Sequence, residues 1–561
     1  MKFSEFPYER IDFTEAKRAL SALSEQLAAA DSAEKQMKVH RAFYQLDNHV
    51  RTVSTLAEIR HSVDTKDAFY AAEKDFYDRE LPGYGQARVS YQRVLYRSPY
   101  RATLEKILGG PAFRNIELAE RSTSEAVLPL MQEENTLATT YEKLLASARI
   151  PFEGKERNLS MMEPFLNHRE RKVRRAAAAA VNAFYEHAAA ELDSLYDRLV
   201  KNRTEQAKRL GFSSYTELGY CRMMRSSYGR TEVERFRQQV KQAFVPLAEQ
   251  VWEKRRKRLG LDVLYHMDEK LSFPEGSPAP TGTPEEILAA GKRMYEALSP
   301  ETGAFMNFML DEELLDVFAK PNKQVGGYMT YLPDFHAPFI FANFNGTSGD
   351  VDVITHECGH AFQGWLSGQD EIQEHADLTM ETAETHSMSM EFFTNPWMKD
   401  FFGARAQDFL TAQLEDAVVF IPYGCMVDEF QHVVYDDPKL SPAERKAVWQ
   451  SLEHSYKPHL RYEEESPFFA GGGFWQRQHH IYSAPFYYID YCIAQTDAFQ
   501  YKIWMQKDYQ AAWQSYLGLC RASASDFFEA LLKGAGLRSP FEAGTLQTLA
   551  KEIGKLVVDE A

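Results

Sequence analysis

The sequence predicts a mainly α-helical protein with one small β-sheet, and three observations support this fold class. Residues 10–110 place apolar side chains at helical spacing over several successive segments. The stretch from His168 to Leu210 is an Ala-rich helical pattern of the same kind. Residues Val325 to Asn345 are instead rich in glycine, aromatic residues and β-formers, which predicts two short strands joined by a turn at Leu332–Pro333–Asp334.

Composition and charge exclude several classes of protein. The chain has 561 residues, 44% of them hydrophobic, and a formal net charge of −17, which argues against nucleic acid or an anionic membrane as a partner. The N-terminus carries acids and lacks the apolar core of a signal peptide, and no uncharged apolar stretch is long enough to span a bilayer. The five cysteines are scattered and form no C-x-x-C pair. We therefore expect a cytoplasmic protein with reduced thiols.

Two glycine- and proline-containing segments organise the chain. Gly109–Gly110–Pro111 interrupts the helical pattern, which predicts an N-terminal helical region over 1–110 and a second helical region over 111–561. Residues 272–284 form a loop, after which Thr283–Pro284–Glu285–Glu286 begins a helix with an N-cap threonine and a proline at the first position.

The strongest chemical signal is His356–Glu357–Cys358–Gly359–His360, which fits the H-E-x-x-H pattern of a zinc peptidase helix. On an α-helix, two histidines four apart lie about 40° apart around the axis and about 6 Å along it, so both can bind one metal ion. Glu357 is placed to take a proton from water rather than to bind the metal. Asp352 lies one turn before His356 and could orient its imidazole, although the helix dipole also favours an acid there.

A third metal ligand is expected on the following helix. A catalytic zinc site uses three protein ligands and leaves a fourth position open, whereas a structural site fills all four. The segment Met380–Glu391 offers Glu381, Glu384 and His386. The residues alone leave the choice among these three open.

A second group of polar aromatic residues follows the glycines at 471–473. A tyrosine hydroxyl or histidine N–H aimed at a peptide carbonyl would stabilise an oxyanion. Such residues are equally typical of a core, so the residues alone leave the function of each one open. The group consists of His479, His480, Tyr482, Tyr487, Tyr488 and Tyr491.

HECGHAFQ followed by ETAETHSMSMEF resembles the thimet oligopeptidase and oligoendopeptidase F group of zinc metallopeptidases, on the oligoendopeptidase F side. In that family the third ligand is a glutamate about 25 residues after the second histidine, with another glutamate seven residues further on. Glu384 lies 24 residues after His360, and Glu391 lies seven after Glu384. The resemblance therefore implies one Zn²⁺ ion held by His356, His360 and Glu384, with Glu381 as a supporting acid.

The resemblance covers roughly residues 160–540 and implies a fold and a substrate strand. The implied fold is a mainly α-helical body of two lobes that enclose a deep substrate channel, with the small sheet beside the zinc helix. PFIFANFNG is similar to the strand whose edge binds substrate in the family. The substrate-binding residues implied on it are Ala342, Phe344 and Gly346.

The same resemblance assigns roles after the glycine run. The family has a histidine and tyrosines three residues apart that bind substrate and stabilise the transition state, and Tyr488 and Tyr491 match that spacing. His479 gives the better distance to the tyrosines, whereas His480-x-Tyr482 resembles the local pattern of oligoendopeptidase F. We therefore favour His480 as the catalytic histidine, with His479 and Tyr482 as substrate-binding residues.

The expected function follows from this resemblance. It implies a zinc endopeptidase that degrades short unfolded oligopeptides in the cytoplasm, where Glu357 acts as the general base. Two alternatives are an exopeptidase on a related helical zinc scaffold and a non-catalytic peptide-binding protein. The retained Glu357 argues against the latter. The sequence predicts neither the cleavage preference nor the oligomeric state, and it leaves open whether another divalent metal replaces zinc.

Overall fold

The structure is a computed structural model that describes residues 1–324 and 326–559. It is mainly helical with two small sheets, so the predicted fold class is confirmed. Val325, where the predicted strand segment begins, and the last two residues of the predicted second region lie outside the described residues. No helix in the described part combines the length and the apolar character needed to cross a bilayer.

The helices account for most of the described chain. In chain order, the α-helices are α1 Phe13–Ala29, α2 Ala33–Val63, α3 Ala68–Tyr96, α4 Arg101–Leu108, α5 Gly110–Ser122, α6 Leu128–Ala146, α7 Leu159–Leu166, α8 Arg171–Arg209, α9 Tyr215–Arg222, α10 Arg230–Arg258, α11 Pro284–Leu298, α12 Pro300–Asp311, α13 Ser348–Asp352, α14 Cys358–Ser367, α15 Met380–Phe393, α16 Met398–Phe402, α17 Ala406–Asp436, α18 Pro442–Tyr456, α19 His479–Ser483, α20 Tyr488–Lys507, α21 Tyr509–Ala522, α22 Phe528–Gly534 and α23 Thr545–Gly554. The strands are β1 Ile150–Phe152, β2 Lys155–Arg157, β3 Leu315–Phe318, β4 Tyr328–Leu332 and β5 Ala337–Phe344.

The described residues form two compact units, each built from separate stretches of chain. Unit 1 comprises Met1–Glu120, Ala279–Ala406 and Trp504–Leu537. Unit 2 comprises Arg121–Pro278, Gln407–Ile503 and the described residues after Leu537. The boundary predicted between residues 110 and 111 stays a prediction.

The N-terminal part of unit 1 is a packed group of helices. Asp12, Ser32 and Asp67 begin α1, α2 and α3, and each side chain accepts hydrogen bonds from the first backbone N–H groups of its helix. Burial of the apolar faces of these helices drives their packing. The shared core includes Phe13, Leu20, Phe43, Val53, Tyr91 and Leu95.

Unit 1 also contains the small sheet, whose strand order is β3-β5-β4. The hairpin of β4 and β5 confirms the two predicted strands, and the turn is observed at Pro333–Phe335. The short strand β3 was not predicted and pairs in parallel with β5. The strand predicted as a substrate-binding edge is therefore the middle strand, although its pairing with β4 ends at Phe341.

Unit 2 is organised by long helices. The predicted helix over 168–210 is observed as α8, and its inward face is continuously buried. Buried arginines of this unit are paired with acids, as charges taken out of water require. Arg203 contacts Glu134, and Arg225 contacts Asp490. The first pair joins α8 to α6, and the second joins the segment between α9 and α10 to α20.

Candidate active site

Two helical segments of unit 1 bring three metal-binding side chains together. His356 lies in the π-helical turn Val353–Glu357, His360 in α14 and Glu384 in α15. Oε2 of Glu384 is 3.4 Å from Nε2 of His356 and 3.6 Å from Nε2 of His360. Among the described residues, this is the one group of three such side chains whose ligand atoms lie within 4.8 Å of one another.

The spacing of these atoms fits a zinc ion. Tetrahedral Zn²⁺ with bonds of about 2.0–2.2 Å separates its ligand atoms by about 3.3–3.6 Å. Both distances from Glu384 to the histidines fall in that range. Two imidazoles and one carboxylate also form the donor set of a catalytic zinc site that keeps one position open.

The main chain at the first histidine is not the regular α-helix that the sequence predicted. The backbone N–H of Cys358 contacts the carbonyl of Val353, five residues earlier, as in a π-helix. Within this turn, the carbonyl oxygen of Ile354 accepts a hydrogen bond of 2.7 Å from the hydroxyl of Tyr295 in α11. Tyr295 is fully buried, so this contact is shielded from water.

Helices α14 and α15 approach closely at Gly359. A Cβ atom at this position would lie 2.8 Å from Cα of Ser387 and 3.0 Å from Cβ of Met390. Any side chain larger than hydrogen would therefore push α15 away. The glycine of the motif lets the helix that carries Glu384 come within reach of both histidines.

The second nitrogen of His356 is held by Glu391. Nδ1 of His356 lies 2.7 Å from Oε1 of Glu391, one of the acids on α15. A carboxylate that accepts from Nδ1–H leaves the lone pair of Nε2 for a metal. From the sequence, Asp352 could orient this imidazole or could simply be an acid favoured by the helix dipole. Asp352 is exposed and its role stays a prediction, and the contact observed here joins His356 and Glu391.

Two of the three candidate ligands have strongly shifted pKa values. Burial alone would raise the pKa of Glu384, but its contacts with His356 and His360 hold that pKa well below the usual range. Burial lowers the pKa of His356, yet Glu384 and Glu391 raise it well above its ordinary value, so a metal ion that binds Nε2 must displace a proton from it. Glu384 is therefore ionised, as a metal ligand must be. Glu357 is partly exposed, as a base that meets substrate must be.

The other two candidates for the third ligand lie elsewhere on α15. Glu381 is buried, with 1% of its surface exposed. Nδ1 of the fully buried His386 lies 3.4 Å from Sγ of Cys520. The structure therefore groups Glu384 with the two histidines, and the supporting role of Glu381 stays a prediction.

The strand predicted to bind substrate, β5, is followed by α13 and then by the π-helical turn that carries His356. The side chains of Ala342 and Phe344 are buried, so only their main chain could contact a peptide. Gly346 follows at φ +81°, a region that favours glycine. The buried carboxylate of Asp350 accepts hydrogen bonds of 2.8 Å from the backbone N–H groups of Asn345 and Gly346. This loop is therefore fixed in place before α13 begins.

In unit 2 the structure brings three of the predicted polar aromatic residues together. The ring of His480 lies 4.8 Å from that of Tyr488 and 6.1 Å from that of Tyr491, and all three are partly exposed. His479 is exposed beside them. Tyr482 is fully buried and stacks on Tyr141 at 3.9 Å. A side chain packed in this way cannot contact a substrate, which corrects the prediction for Tyr482.

The segment that carries these tyrosines is anchored at Phe486. This residue has φ +68°, which is strained for a bulky side chain. The carbonyl of Phe486 accepts a hydrogen bond from Arg225, and its N–H donates to Oε1 of Gln431 at 2.9 Å. A Cβ atom at Gly219 would lie 2.6 Å from the Phe486 ring. The surrounding helices therefore fix the main chain just before Tyr488.

A helical scaffold with an H-E-x-x-H segment and a glutamate on the next helix defines the class of helical metallopeptidases. The profile described as the peptidase M3 N-terminal domain matches residues 3–123, and the one described as peptidase family M3 matches residues 165–271 and 302–551. The chain belongs to peptidase family M3, so it is a peptidase. No curated protein matches its sequence.

Several solved structures are similar to this chain along its whole length. A crystal structure assigned to oligoendopeptidase F is 44% identical, covers 100% of this chain and 99% of its own, and has a TM-score of 0.92. PZ peptidase A with an inhibitor is 43% identical, with coverages of 100% and 99% and a TM-score of 0.92. A protein from Bacillus anthracis, also assigned to oligoendopeptidase F, is 42% identical, with coverages of 99% and 98% and a TM-score of 0.87. The predicted resemblance to this group is confirmed.

Proposed function

We propose that this peptidase is a zinc-dependent endopeptidase that hydrolyses internal peptide bonds of short, unfolded oligopeptides in the cytoplasm, with one Zn²⁺ per chain. The observation that carries the proposal is the group formed by His356, His360 and Glu384, with Glu357 beside it. Similar structures named for oligoendopeptidase F and PZ peptidase A support the choice of oligopeptides as substrates.

The chemistry divides between the ion and the side chains. Bound zinc supplies Lewis acidity, which lowers the pKa of water to about 7 and polarises a peptide carbonyl. Glu357 accepts the proton of the attacking water and later gives it to the leaving amine. Glu391 holds the Nδ1 proton of His356 and keeps its Nε2 free as a ligand.

The polar aromatic residues supply the remaining roles. His480 and Tyr488, with Tyr491 beside them, donate hydrogen bonds to the oxyanion that forms when water attacks the carbonyl. The main chain at Ala342 and Phe344, together with Gly346, binds the extended peptide by backbone hydrogen bonds. His479 contributes to substrate binding.

The proposal is tested with an end-blocked, internally quenched peptide. We expect the wild type to cut it internally and Glu357→Gln to retain about one zinc per chain while activity falls about 10²- to 10⁴-fold. Cleavage only of peptides with free ends would instead indicate an exopeptidase. Binding of the peptide without cleavage by the wild type would indicate a peptide-binding protein.

A further inference from the structure

The side chain of Gln478 connects two aromatic residues of unit 2. Tyr423 lies on α17 and His480 on α19, directly after Gln478 and His479. The hydroxyl of Tyr423 donates to Oε1 of Gln478 over 2.8 Å. Nε2 of Gln478 lies 2.7 Å from Nδ1 of His480. Each end of one amide therefore contacts a different ring.

The contact with Tyr423 sets the orientation of this amide. A phenol has one proton to donate, and Oε1 of Gln478 is the acceptor that the described residues offer to Tyr423. Turning the amide by half a turn would place an N–H group against the phenol oxygen and deprive the phenol proton of that acceptor. An unsatisfied, partly buried O–H is unfavourable, so Oε1 faces Tyr423 and Nε2 faces His480.

The orientation of the amide decides where His480 carries its proton. An amide nitrogen only donates, so Nδ1 of His480 must accept, and a neutral imidazole then has its proton on Nε2. We propose that Tyr423 and Gln478 are positioning residues that fix this tautomer, so that Nε2–H of His480 is the hydrogen-bond donor to a substrate carbonyl oxygen. This inference rests on the proposed function.

The surroundings of His480 keep its ring neutral, so the tautomer decides whether the ring can donate to a carbonyl oxygen. Burial, and after it the neighbouring His479, lower the pKa of His480 to about 3, so the ring is neutral near pH 7. The other rings packed around it belong to Tyr487, Tyr488 and Tyr491. A neutral imidazole with its proton on Nδ1 would present only a lone pair to a carbonyl oxygen and would repel it.

Imidazole nitrogen NMR on protein labelled with ¹⁵N-histidine tests the proposal directly. The His480 signals are assigned by their loss in His480→Gln. In the wild type at pH 8 we expect Nε2 to be protonated and Nδ1 to be bare. In Gln478→Glu we expect Nδ1 to gain a proton, because a carboxylate accepts where the amide donates. Tyr456→Phe is the control, because it removes the hydroxyl that contacts Glu429 in the same unit and should leave both nitrogens unchanged.

The kcat and KM of the zinc-containing enzyme provide a second measurement. Gln478→Met and the conservative Tyr423→Phe should lower kcat by up to about 10²-fold, the scale of losing one oxyanion donor, with little change in KM. A proton on Nδ1 of wild-type His480 would overturn the proposal, as would an unprotonated Nδ1 in Gln478→Glu. If the wild type shows the expected tautomer but cuts no peptide, the tautomer assignment holds and the proposed function fails.

Discussion

The hydroxyl of Tyr295 donates a hydrogen bond of 2.7 Å to the carbonyl oxygen of Ile354, inside the turn that carries His356 and Glu357. One helical turn earlier on α11, Gly291 makes room for the Ile354 side chain, because a Cβ atom there would lie 2.8 Å from its Cγ2. Two positions of one helix thus contact both the main chain and the side chain of the same residue. Helix α11 therefore packs against the π-helical turn that carries His356.

Tyr295→Phe should weaken zinc binding without unfolding the protein. The change keeps the ring and removes one buried hydrogen bond, worth about 1 kcal/mol, so we expect a roughly 5-fold higher zinc dissociation constant by chelator competition. Tyr100→Phe is the control, because it removes a hydroxyl bonded to the carbonyl of Asp31 in the same unit, a contact that involves neither ligand helix. Equal zinc affinity in both variants and the wild type would exclude a positioning role for Tyr295.

Glu391→Gln should lower zinc affinity or activity by about 10- to 100-fold, the usual cost of losing a carboxylate that orients a histidine ligand. The amide oxygen of glutamine can still accept from Nδ1–H of His356 but carries no full negative charge, so Nε2 becomes a weaker metal ligand. Zinc content after dialysis and kcat measure the effect. Glu371→Gln serves as the control, since its side chain is 87% exposed. If the two variants retain the same zinc, the contact with Glu391 is dispensable.

Gly359→Ala and Gly518→Ala should act in opposite directions. A Cβ atom at Gly359 meets the main chain of α15 at 2.8 Å, and overpacking of this kind costs about 1–3 kcal/mol. A Cβ atom at Gly518 in α21 would meet no described residue outside its own helix within 4 Å, so alanine there gains helix propensity of up to about 1 kcal/mol. Thermal unfolding and zinc content distinguish the variants. Retained zinc and a retained Tm in Gly359→Ala would show that the helices can separate freely.

Glu453 makes the stability of unit 2 depend on pH. Burial raises the pKa of its carboxyl from 4.5 to about 6, against the opposing hydrogen bond from Tyr462. The folded pKa exceeds the unfolded one, so the stability from this group is full below pH 4.5 and is lost as pH rises through about 6. The loss at pH 7 is about 2 kcal/mol.

Glu453→Gln should therefore raise the thermal unfolding midpoint relative to the wild type at pH 7, and the advantage should shrink at pH 5. Glutamine keeps an oxygen that can accept from Tyr462 and Trp449. Differential scanning calorimetry at the two pH values measures this. An advantage that is the same at both values would contradict an uncharged Glu453 at pH 5.

The sequence was informative wherever local rules suffice. The H-E-x-x-H segment predicted two ligands on one helix, the family resemblance implied Glu384 as the third, and the structure brings these three side chains together. The capping threonine and first-turn proline at Thr283 and Pro284 predicted where α11 begins, and the hairpin was predicted from its composition. These features depend on residues close in sequence or on one helical period.

Contacts between distant segments were not predictable in the same way. The π-helical turn differs from an α-helix by one hydrogen-bond step and leaves no mark in the pattern of apolar residues. The pairing of Glu391 with His356 depends on how α14 and α15 cross, although its position seven residues after Glu384 places both acids on one face. Tyr482 is fully buried, although the sequence around it is rich in aromatic residues and does not show which of their rings are buried.

Unit 1 takes its final stretch from Trp504–Leu537, and both ligand helices touch it. Nε2 of Gln363 on α14 donates to Oγ of Ser523, and the hydroxyl of Tyr516 donates to the carbonyl of His386 on α15, each over 2.9 Å. During translation the ligands leave the ribosome well before these partners exist. A nascent chain ending at Ile503 should therefore carry the motif yet bind zinc poorly, so that proteolytic competence arrives only late in synthesis.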